Sequence, residues 1–333
     1  MFICDIDNLL ISDEGATKLT IDLIKNTIGE KIILTRCSGN LSQFPENEFN
    51  MKFVRIPIKN KSPLSASFII GYLYYIIMTI IITIKTNPDV VYYIPFRYTR
   101  PLAQLHAFIL ANFSKNFKEI LYHKPKINVI FKIFTRFEIG TLSKDTALEL
   151  ENMGFKAFYF QIACKTPCRS YNKKELRKKY GFNENSYIIL HVGHATLSRG
   201  LDIFNMLANN IPDSDKVLIV FSSWHKENKF NIINAMNKNI IIIDKFLEDI
   251  YEIYAIADVY VFPIIDSISA IDIPLSILEA KNMGLPIIAS DLENVKNLVY
   301  NYNCQNIYFI KPSSTAEMAK NILKIVCNLK RST

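Results

Sequence analysis

The stretch IPLSILEAKNMGLPIIASD, residues 273–291, decides the fold, because it contains a helix start, a helix end and a buried strand. Pro274 suits the first turn of a helix, where its missing N–H leaves no hydrogen bond unmade. Gly284 suits the position just after the helix, and Pro286 prevents the helix from continuing. The apolar residues 287–289 then predict a short buried strand. A helix that leads directly into a buried strand is typical of parallel α/β sheets.

Glu279 is the unusual residue in this predicted helix. It follows Leu275 by four residues and precedes Met283 by four, so it shares a face with apolar side chains. A carboxylate buried without a partner destabilises a protein strongly. Glu279 is therefore predicted to face a ligand; the alternative is a buried glutamate paired with a basic neighbour.

The second half of the chain alternates apolar runs of strand length with helical stretches. Ser314 and Glu317 form a capping-box pair at the start of the last helix. Strands that are buried on both faces and separated by helices predict a doubly wound parallel sheet. The predicted strands are residues 187–192, 216–221, 239–243, 259–262, 286–289 and 307–310.

The first half repeats this alternation. The polar, basic segment 165–181 separates the two halves, so we predict one domain over residues 1–165 and another over residues 166–333. Ligands of such sheets bind beyond the carboxyl ends of the strands, and two such domains predict a cleft. Strands are predicted at 1–5, 31–36, 51–56, 89–94, 118–122, 137–141 and 157–162, and helices at 16–28, 63–85, 101–113 and 144–153.

Cysteine usage and the first residues bear on the compartment. The chain has 333 residues and six scattered cysteines, of which Cys164 and Cys168 are close at a spacing that matches no common metal motif. We expect reduced thiols in the cytoplasm. The first residues, MFICDIDN, lack the basic region and apolar run of a signal peptide.

The positive charge of the chain is unevenly distributed. The net charge is +8, but residues 52–144 carry 14 lysines and arginines against 3 acidic residues, a balance of +11. This segment is either a solvated basic face or a surface that meets phosphates or anionic lipid headgroups. No nucleic-acid-binding motif accompanies the charge, so nucleic acid is not a predicted partner.

Residues 62–84 form an uncharged, nearly all-apolar segment between Lys61 and Lys85. The segment is long enough to span a bilayer. However, Asn-Pro-Asp and the strand VVYYI follow at once, as in a βαβ unit. We therefore favour a domain helix with an apolar face against a membrane over a true transmembrane span.

Three motifs carry a resemblance to a known family, and they occur in the family's order. HVGHATLSRGLDIF (191–204) resembles its strand, glycine loop and basic residue, and IYEIYAIADVYVFP (250–263) resembles the segment before its sugar-binding loop. Residues 273–291 resemble its nucleotide-sugar signature. The second half is thus similar to the donor domain of GT-B glycosyltransferases of the large retaining family, the glycosyl transferases group 1.

This resemblance implies a GT-B fold, with two Rossmann-like α/β domains facing across a cleft. The first domain would be the acceptor side, and the second would bind the nucleotide-sugar. The implied activity is that of a retaining hexosyltransferase, which moves a sugar to a hydroxyl of a lipid-linked or glycan acceptor in cell-envelope glycan biosynthesis. No metal and no cofactor are expected besides the donor substrate. The expected location is the cytoplasm, or peripherally the inner face of the membrane.

The start of the helix in residues 273–291 is the predicted diphosphate site. The N–H groups of Leu275, Ser276 and Ile277 point outward there and, with the helix dipole, attract an anion. Glu279 lies just over one turn further on, where an ionised carboxylate can accept hydrogen bonds from a ribose diol.

The glycine loop supplies the other donor-binding residues. Gly193 lies in the loop, and Arg199 stands at the family's usual lysine position, where it would neutralise the diphosphate; the alternative is a surface arginine at a helix start. His194 stands where the family has arginine, and it can still donate to a phosphate. His191 and His194 have no further ligand nearby, so no metal site is predicted.

The first half contributes predicted residues near the reacting sugar and the acceptor. His123, at the carboxyl end of a strand in EILYHKP, is a predicted catalytic residue that hydrogen-bonds a hydroxyl or moves a proton; the alternative is a plain loop histidine. Gly15 precedes the first helix and lets the backbone approach the sugar. Arg97 and Arg100 would meet an acceptor phosphate, unless they are ordinary surface charges.

The sequence departs from the family pattern around the sugar-binding loop. Ile271 stands where the family has a second glutamate, and Asp272, one residue later, is the predicted catalytic substitute, ahead of Asp266. Pro274 replaces the glycine before the nucleotide helix. These departures leave open a degenerate GT-B protein that binds nucleotide or acts as a scaffold without transferring sugar.

A third class of function comes from the stretch FICDIDN, residues 2–8. It resembles the first motif of haloacid-dehalogenase phosphatases, in which Asp5 would be the nucleophile and Asp7 an acid/base beside magnesium. Leu9 stands where that family has threonine or valine, and no later acidic pair follows. The glycosyltransferase interpretation is therefore favoured.

Overall fold

The computed structural model of the chain divides into two compact units, Met1–Ile162 and Ala163–Thr333. The domain boundary predicted after residue 165 falls within residues 161–166, which lie outside the described residues. The structure describes residues 1–7, 15–37, 52–57, 66–95, 100–125, 127, 129–160, 167, 169–194, 196–221, 238–245, 247–267 and 270–332.

The first unit is built on a parallel sheet of seven strands in the order β3-β2-β1-β4-β5-β6-β7. The order reverses between β1 and β4, which makes their carboxyl ends the point where such sheets bind ligands. The strands are β1 Phe2–Asp7, β2 Ile32–Cys37, β3 Lys52–Pro57, β4 Val91–Ile94, β5 Phe117–Leu121, β6 Glu138–Thr141 and β7 Ala157–Tyr159.

Helices connect these strands. The four helices predicted for this half are found, with ends that differ by a few residues. One short helix was not predicted, because an apolar run such as VIFKIF does not distinguish helix from strand. The helices are α1 Gly15–Asn26, α2 Ala66–Thr86, α3 Arg100–Asn112, α4 Val129–Phe134 and α5 Lys144–Asn152.

The second unit contains a parallel sheet of six strands in the order β10-β9-β8-β11-β12-β13. Here the order reverses between β8 and β11. All six strands agree with those predicted from the sequence to within about one residue at each end, a normal margin for helix and strand limits. They are β8 Ile188–Val192, β9 Lys216–Phe221, β10 Ile240–Asp244, β11 Val259–Phe262, β12 Ile287–Ser290 and β13 Ile307–Ile310.

Helices flank this sheet as well, and a 3-10 turn lies at Leu197–Arg199. The predicted capping pair of the last helix is present, since the Glu317 N–H donates to the Ser314 hydroxyl at 3.4 Å. The helices are α6 Lys173–Lys179, α7 Leu201–Asn210, α8 Tyr251–Ile256, α9 Leu275–Asn282, α10 Glu293–Asn301 and α11 Thr315–Ser332. The predicted fold class, α/β with two doubly wound parallel sheets, is confirmed.

The core of the second unit lies between its sheet and helices α7 and α11. Buried side chains of β8, β9 and β11 pack against Ile203, Phe204 and Leu207 of α7 and against Met318 and Ile322 of α11. Because this apolar layer fixes strands and helices together, it also fixes the loops that follow the carboxyl ends of β8 and β11.

Candidate active site

The loop after β8 brings a cation close to the backbone. Gly193 has a φ of +147°, and a Cβ at this position would lie 3.3 Å from Nη1 of Arg199 and 3.6 Å from Nε2 of His191. Its N–H donates to the Val220 carbonyl at 3.0 Å, which holds the loop against β9. The backbone conformation therefore favours glycine, and a side chain here would also crowd the Arg199 guanidinium.

The next glycine fixes the direction of the turn that carries Arg199. Gly200 has a φ of +80°, and a Cβ there would lie 2.7 Å from the Pro263 carbonyl oxygen. The Ile265 N–H also donates to the Ser198 carbonyl at 3.1 Å. The loops after β8 and β11 are thus fastened to each other, and Arg199 is held, partly buried, at their junction.

His191 lies beneath this loop and is almost fully buried. Its Nδ1 is 3.0 Å from the Val261 carbonyl oxygen, which can only accept, so Nδ1 carries the proton. Burial lowers the pKa of His191 to about 4, so the ring is neutral at physiological pH. Its Nε2 makes no hydrogen bond of normal geometry within the described residues, which leaves an acceptor beside Gly193.

The start of α9 differs in one respect from the expectation. Pro274 precedes the helix in an extended conformation, and the Ile277 N–H donates back to the Pro274 carbonyl at 3.1 Å. Ile277 therefore does not supply the outward amide that was predicted, because a 3-10-type bond tightens the first turn. The N–H groups of Leu275 and Ser276 donate to no backbone carbonyl in the described part of the chain.

Glu279 is held by a buried tyrosine. The Tyr254 hydroxyl donates to Oε2 of Glu279 at 2.7 Å and lies 3.3 Å from the Ser276 carbonyl oxygen. Burial, and then the charge of Glu279, raise the Tyr254 pKa well above its usual value, so the hydroxyl stays protonated. The hydrogen bond from Tyr254 therefore fixes the orientation of the Glu279 carboxylate at this position in the first turns of α9.

Tyr260 connects the two halves of this site. Its buried hydroxyl lies 3.3 Å from the Val192 carbonyl oxygen at the end of β8, and it also interacts with the Ser276 hydroxyl at the start of α9. Burial raises the Tyr260 pKa, the charge of Glu279 raises it further, and the charge of Arg199 opposes them. The structure thus brings Arg199, Ser276 and Glu279 together around Tyr260.

Sequence reasoning missed Tyr254 and Tyr260. Both lie in the apolar motif IYEIYAIADVYVFP, and neither was predicted as a site residue. A signal was present, because a buried tyrosine hydroxyl usually requires a hydrogen-bond partner. Two tyrosines in a motif close to a predicted site therefore predict that polar groups of the site lie within hydrogen-bonding distance of their hydroxyls.

Asp272, the predicted substitute for the family's second glutamate, is buried in the loop that leads into α9. Ile271 is half-buried and Asp266 is exposed. The catalytic role of Asp272 stays a prediction.

Two predicted residues of the first unit, Gly15 and His123, lie on segments that are joined by a hydrogen bond. Gly15 begins α1, and His123 lies two residues after β5, partly buried. The buried hydroxyls of Thr20 and Tyr122 are 2.7 Å apart and fasten α1 to the end of β5. Arg100 begins α3, and Arg97 lies outside the described residues.

The described residues bear on two further candidate sites, a metal site and the phosphatase motif. Within the described residues, no three His, Cys, Asp or Glu side chains form a group that could hold a metal ion. Asp5 and Asp7 belong to β1, but their side chains and Leu9 lie outside the description, so the phosphatase motif stays a prediction.

The second unit matches a known protein family. Residues 172–332 match the family model of the glycosyl transferases group 1. The chain is 31% identical over 138 residues to the UDP-Gal:alpha-D-GlcNAc-diphosphoundecaprenol alpha-1,3-galactosyltransferase of Escherichia coli. That match covers 39% of this chain and 35% of the length of that relative.

Solved structures are similar to the whole chain. A glycosyltransferase from Rickettsia africae ESF-5 has a TM-score of 0.70 at 16% identity, over 98% of this chain and 88% of that one. Anabaena Alr3699/HepE in complex with UDP and glucose has a TM-score of 0.69 at 14% identity, over 98% and 89%. The chain therefore has the fold of the GT-B glycosyltransferases. Its second unit matches the model of the glycosyl transferases group 1 family over nearly its whole length.

Proposed function

We propose that the protein is a glycosyltransferase that moves a hexose from a nucleotide-sugar to a hydroxyl of a lipid-linked or glycan acceptor. The observation that carries this proposal is the cluster around Tyr260: a cation at Arg199, the first turn of α9, and a carboxylate at Glu279 held by Tyr254. Such a cluster complements a nucleoside diphosphate, because it offers a positive charge and amides to phosphate and an acceptor to ribose.

The chemical work follows from these groups. The bond between the sugar and the diphosphate breaks as the acceptor oxygen attacks, so negative charge grows on the leaving phosphate. Arg199 and the Leu275 and Ser276 amides would stabilise that charge in the transition state, where it is largest. His123 would hold the acceptor hydroxyl or take its proton. Neither step requires a metal if these groups neutralise the diphosphate.

We propose uridine as the donor base and retention of the anomeric configuration. The Escherichia coli relative is named for a UDP-galactose donor and an alpha-1,3 linkage, and Alr3699/HepE was crystallised with UDP. UDP-galactose carries the sugar in the α configuration, so an α-linked product means net retention. Nuclear magnetic resonance of the product decides this point, since a β-linked product would exclude retention.

The proposed acceptor is a lipid diphosphate sugar in cell-envelope glycan biosynthesis, met at the inner face of the cytoplasmic membrane. The relative's printed substrate is diphosphoundecaprenol-linked, and the basic balance of residues 52–144 suits a phosphate-bearing lipid. Arg97 and Arg100 are the residues proposed to contact its phosphates.

A screen of nucleotide-sugars by thermal shift tests the donor half of this proposal. A donor at one hundred times its Kd stabilises the folded protein by about 2.7 kcal/mol, so the correct donor is found by the largest shift in Tm. Incubation with that donor and a short-chain lipid diphosphate sugar then tests transfer by mass spectrometry. Binding without transfer to any acceptor would favour the degenerate nucleotide-binding protein, and no binding would contradict the proposal.

The phosphatase alternative makes a separate demand. Magnesium-dependent release of phosphate from a generic phosphate ester, abolished by Asp5→Asn, would establish that alternative and contradict transfer as the main activity. We expect no such release, and we expect Asp5→Asn to leave donor binding unchanged, because Asp5 belongs to β1 in the other unit.

A further inference from the structure

Helix α2 turns polar side chains toward the core and apolar side chains toward the solvent. This is the reverse of the usual pattern for a helix on a water-exposed surface. The side chains that face the core of the first unit include Tyr72, Tyr75, Thr79 and Thr83, all fully buried. Their polar atoms are satisfied inside the unit; for example, the Thr79 hydroxyl is 2.6 Å from Nε2 of the buried His106. The polar groups on the core-facing side of α2 are therefore satisfied inside the unit.

The opposite side of α2 is exposed and apolar. Ile70, Ile77 and Ile84 are 68%, 55% and 53% exposed, and their spacing of seven residues places them in one row. At 1.5 Å per residue this row is about 21 Å long. We define the outer face of α2 as Ile70, Leu73, Tyr74, Ile77, Ile81 and Ile84.

The helix beside it extends this uncharged surface. Helix α3 packs against α2 and has no charged residue from 101 to 114, and it exposes Leu105 and Phe113. Within the described residues, only α2 is long and apolar enough to cross a membrane, and 28% of its apolar stretch is buried. Two adjacent helices therefore present apolar and uncharged side chains to the solvent.

Basic residues lie at the ends of this surface. Lys85 is exposed in the last turn of α2, and Lys115, just after α3, is exposed and lies 3.9 Å from Asp89. Of the three acidic residues in 52–144, Glu119 is buried, and the other two pair with lysines, Asp89 with Lys115 and Glu138 with Lys118. Most of the basic charge of this segment is therefore not neutralised by its own acidic residues.

We propose that the outer face of α2 docks on an anionic lipid bilayer, with the helix parallel to the membrane at the boundary between headgroups and acyl chains. Apolar side chains enter that boundary, while basic groups beside them meet anionic headgroups. A second copy of the chain is a poorer occupant, because two such faces would bring like charges together. A true span is also disfavoured, because it would pull Tyr72 and Tyr75 out of the core.

This proposal concerns where the protein binds and does not depend on its chemistry. The test is flotation of the purified full chain with vesicles of phosphatidylcholine and phosphatidylglycerol, or of phosphatidylcholine alone. We compare the wild type with a triple variant, Ile70→Gln, Ile77→Gln and Ile84→Gln, because glutamine is a good helix former and these positions are exposed.

A matched control removes three exposed apolar side chains elsewhere in the first unit. Ile28→Gln, Ile133→Gln and Leu148→Gln replace residues that are 99%, 51% and 56% exposed and lie outside α2 and α3. We expect the α2 variant to lose about tenfold or more in partition onto anionic vesicles and the control to bind like the wild type. Raising salt should weaken wild-type binding without abolishing it, since salt does not screen apolar insertion.

Several results would overturn the proposal. These are equal flotation of the α2 variant and the wild type, no flotation of the wild type with anionic vesicles, and retention on membranes after carbonate extraction, which would indicate a span. A wild-type dimer in light scattering that the α2 variant alone dissociates would assign the face to a second copy. In calorimetry, the α2 variant should bind UDP as the wild type does. Loss of membrane binding in this variant can therefore be distinguished from a failure of the proposed transferase function.

Discussion

The carboxylate of Glu279 shows how one residue can be both unusual in a sequence and explained by a structure. Its position on an apolar stripe predicts either a ligand or a buried pairing. The structure gives it a half-buried position and a hydrogen bond from Tyr254 at 2.7 Å. A neutral tyrosine orients the carboxylate without adding a positive charge, and an ionised carboxylate can accept hydrogen bonds from a ribose diol.

We expect Glu279→Gln to weaken binding of the donor nucleotide while the fold stays intact. Loss of hydrogen bonds to a charged acceptor costs about 1.5–3 kcal/mol, or roughly 10- to 150-fold in Kd. Isothermal titration with UDP measures this change. Tyr254→Phe serves as a comparison and should have a smaller effect, because Glu279 keeps its charge there. An unchanged Kd in Glu279→Gln would reassign the residue to structure.

For Arg199 we expect a different dependence on the ligand, because its proposed contact is with the diphosphate. Arg199→Ala should weaken UDP binding by about 1.5–3 kcal/mol and leave the weak binding of uridine nearly unchanged. Glu279→Gln should weaken both ligands, since both contain the ribose. Titrations of UDP and uridine into the two variants separate these roles. Equal losses for UDP and uridine in Arg199→Ala would contradict a phosphate contact.

At the scale of elements, a buried arginine connects α6, the first helix of the second unit, to the sheet of that unit. Arg177 is almost fully buried, and its guanidinium donates to the Ile256 carbonyl at 3.0 and 3.1 Å and to Asp258 at 2.6 Å. Asp258 also accepts from the Ile188 N–H at 2.7 Å. One arginine thus connects α6 with the end of α8 and the starts of β8 and β11.

We expect Arg177→Met to destabilise the second unit by about 3 kcal/mol, because it leaves Asp258 without its most buried partner. Lys174→Met is the matched control on the same helix, since Lys174 is exposed and lies 3.7 Å from Glu184. It should cost less than about 1 kcal/mol. Urea unfolding followed by circular dichroism measures both. Equal stability of the two variants would show that the Arg177 contacts contribute little.

At the scale of the whole molecule, each unit buries one neutral histidine. Burial lowers the pKa of His106 in the first unit to about 3 and that of His191 in the second to about 4. An unfolded chain binds protons at both sites below about pH 6.5, whereas the folded units resist them. Both units should therefore lose stability as the pH falls from 6.5 toward 4.

The expected slope is up to about 1.4 kcal/mol per pH unit for each histidine within this window. Urea unfolding at pH 7 and pH 5 measures the loss in the wild type. His106→Phe and His191→Phe fill the same space without titrating, so each should reduce the difference between the two pH values for its own unit. A pH dependence equal to that of the wild type in both variants would show that other groups cause the loss.

Much of the whole molecule could be predicted from local pattern. The alternation of apolar strands and helices gave thirteen strands and both sheets, because each parallel strand is buried on two faces and leaves a continuous apolar run. The start of α9 and the glycine loop could also be predicted from local sequence. Pro274, Gly193 and Arg199 have conformational or charge constraints that depend on their immediate neighbours.

Contacts between residues far apart in sequence were decided only by the tertiary structure. The hydrogen bond from Tyr254 to Glu279, the position of Tyr260 between Val192 and Ser276, and the burial of Asp272 join segments that pattern treats separately. The same holds for α2, whose composition fits a span, a core helix or a surface helix equally well. The outer face of α2 can be identified only in the structure, where Tyr72, Tyr75 and Thr79 are buried on the opposite side. Exposure depends on contacts with residues that are distant in sequence, and the local sequence does not specify those contacts.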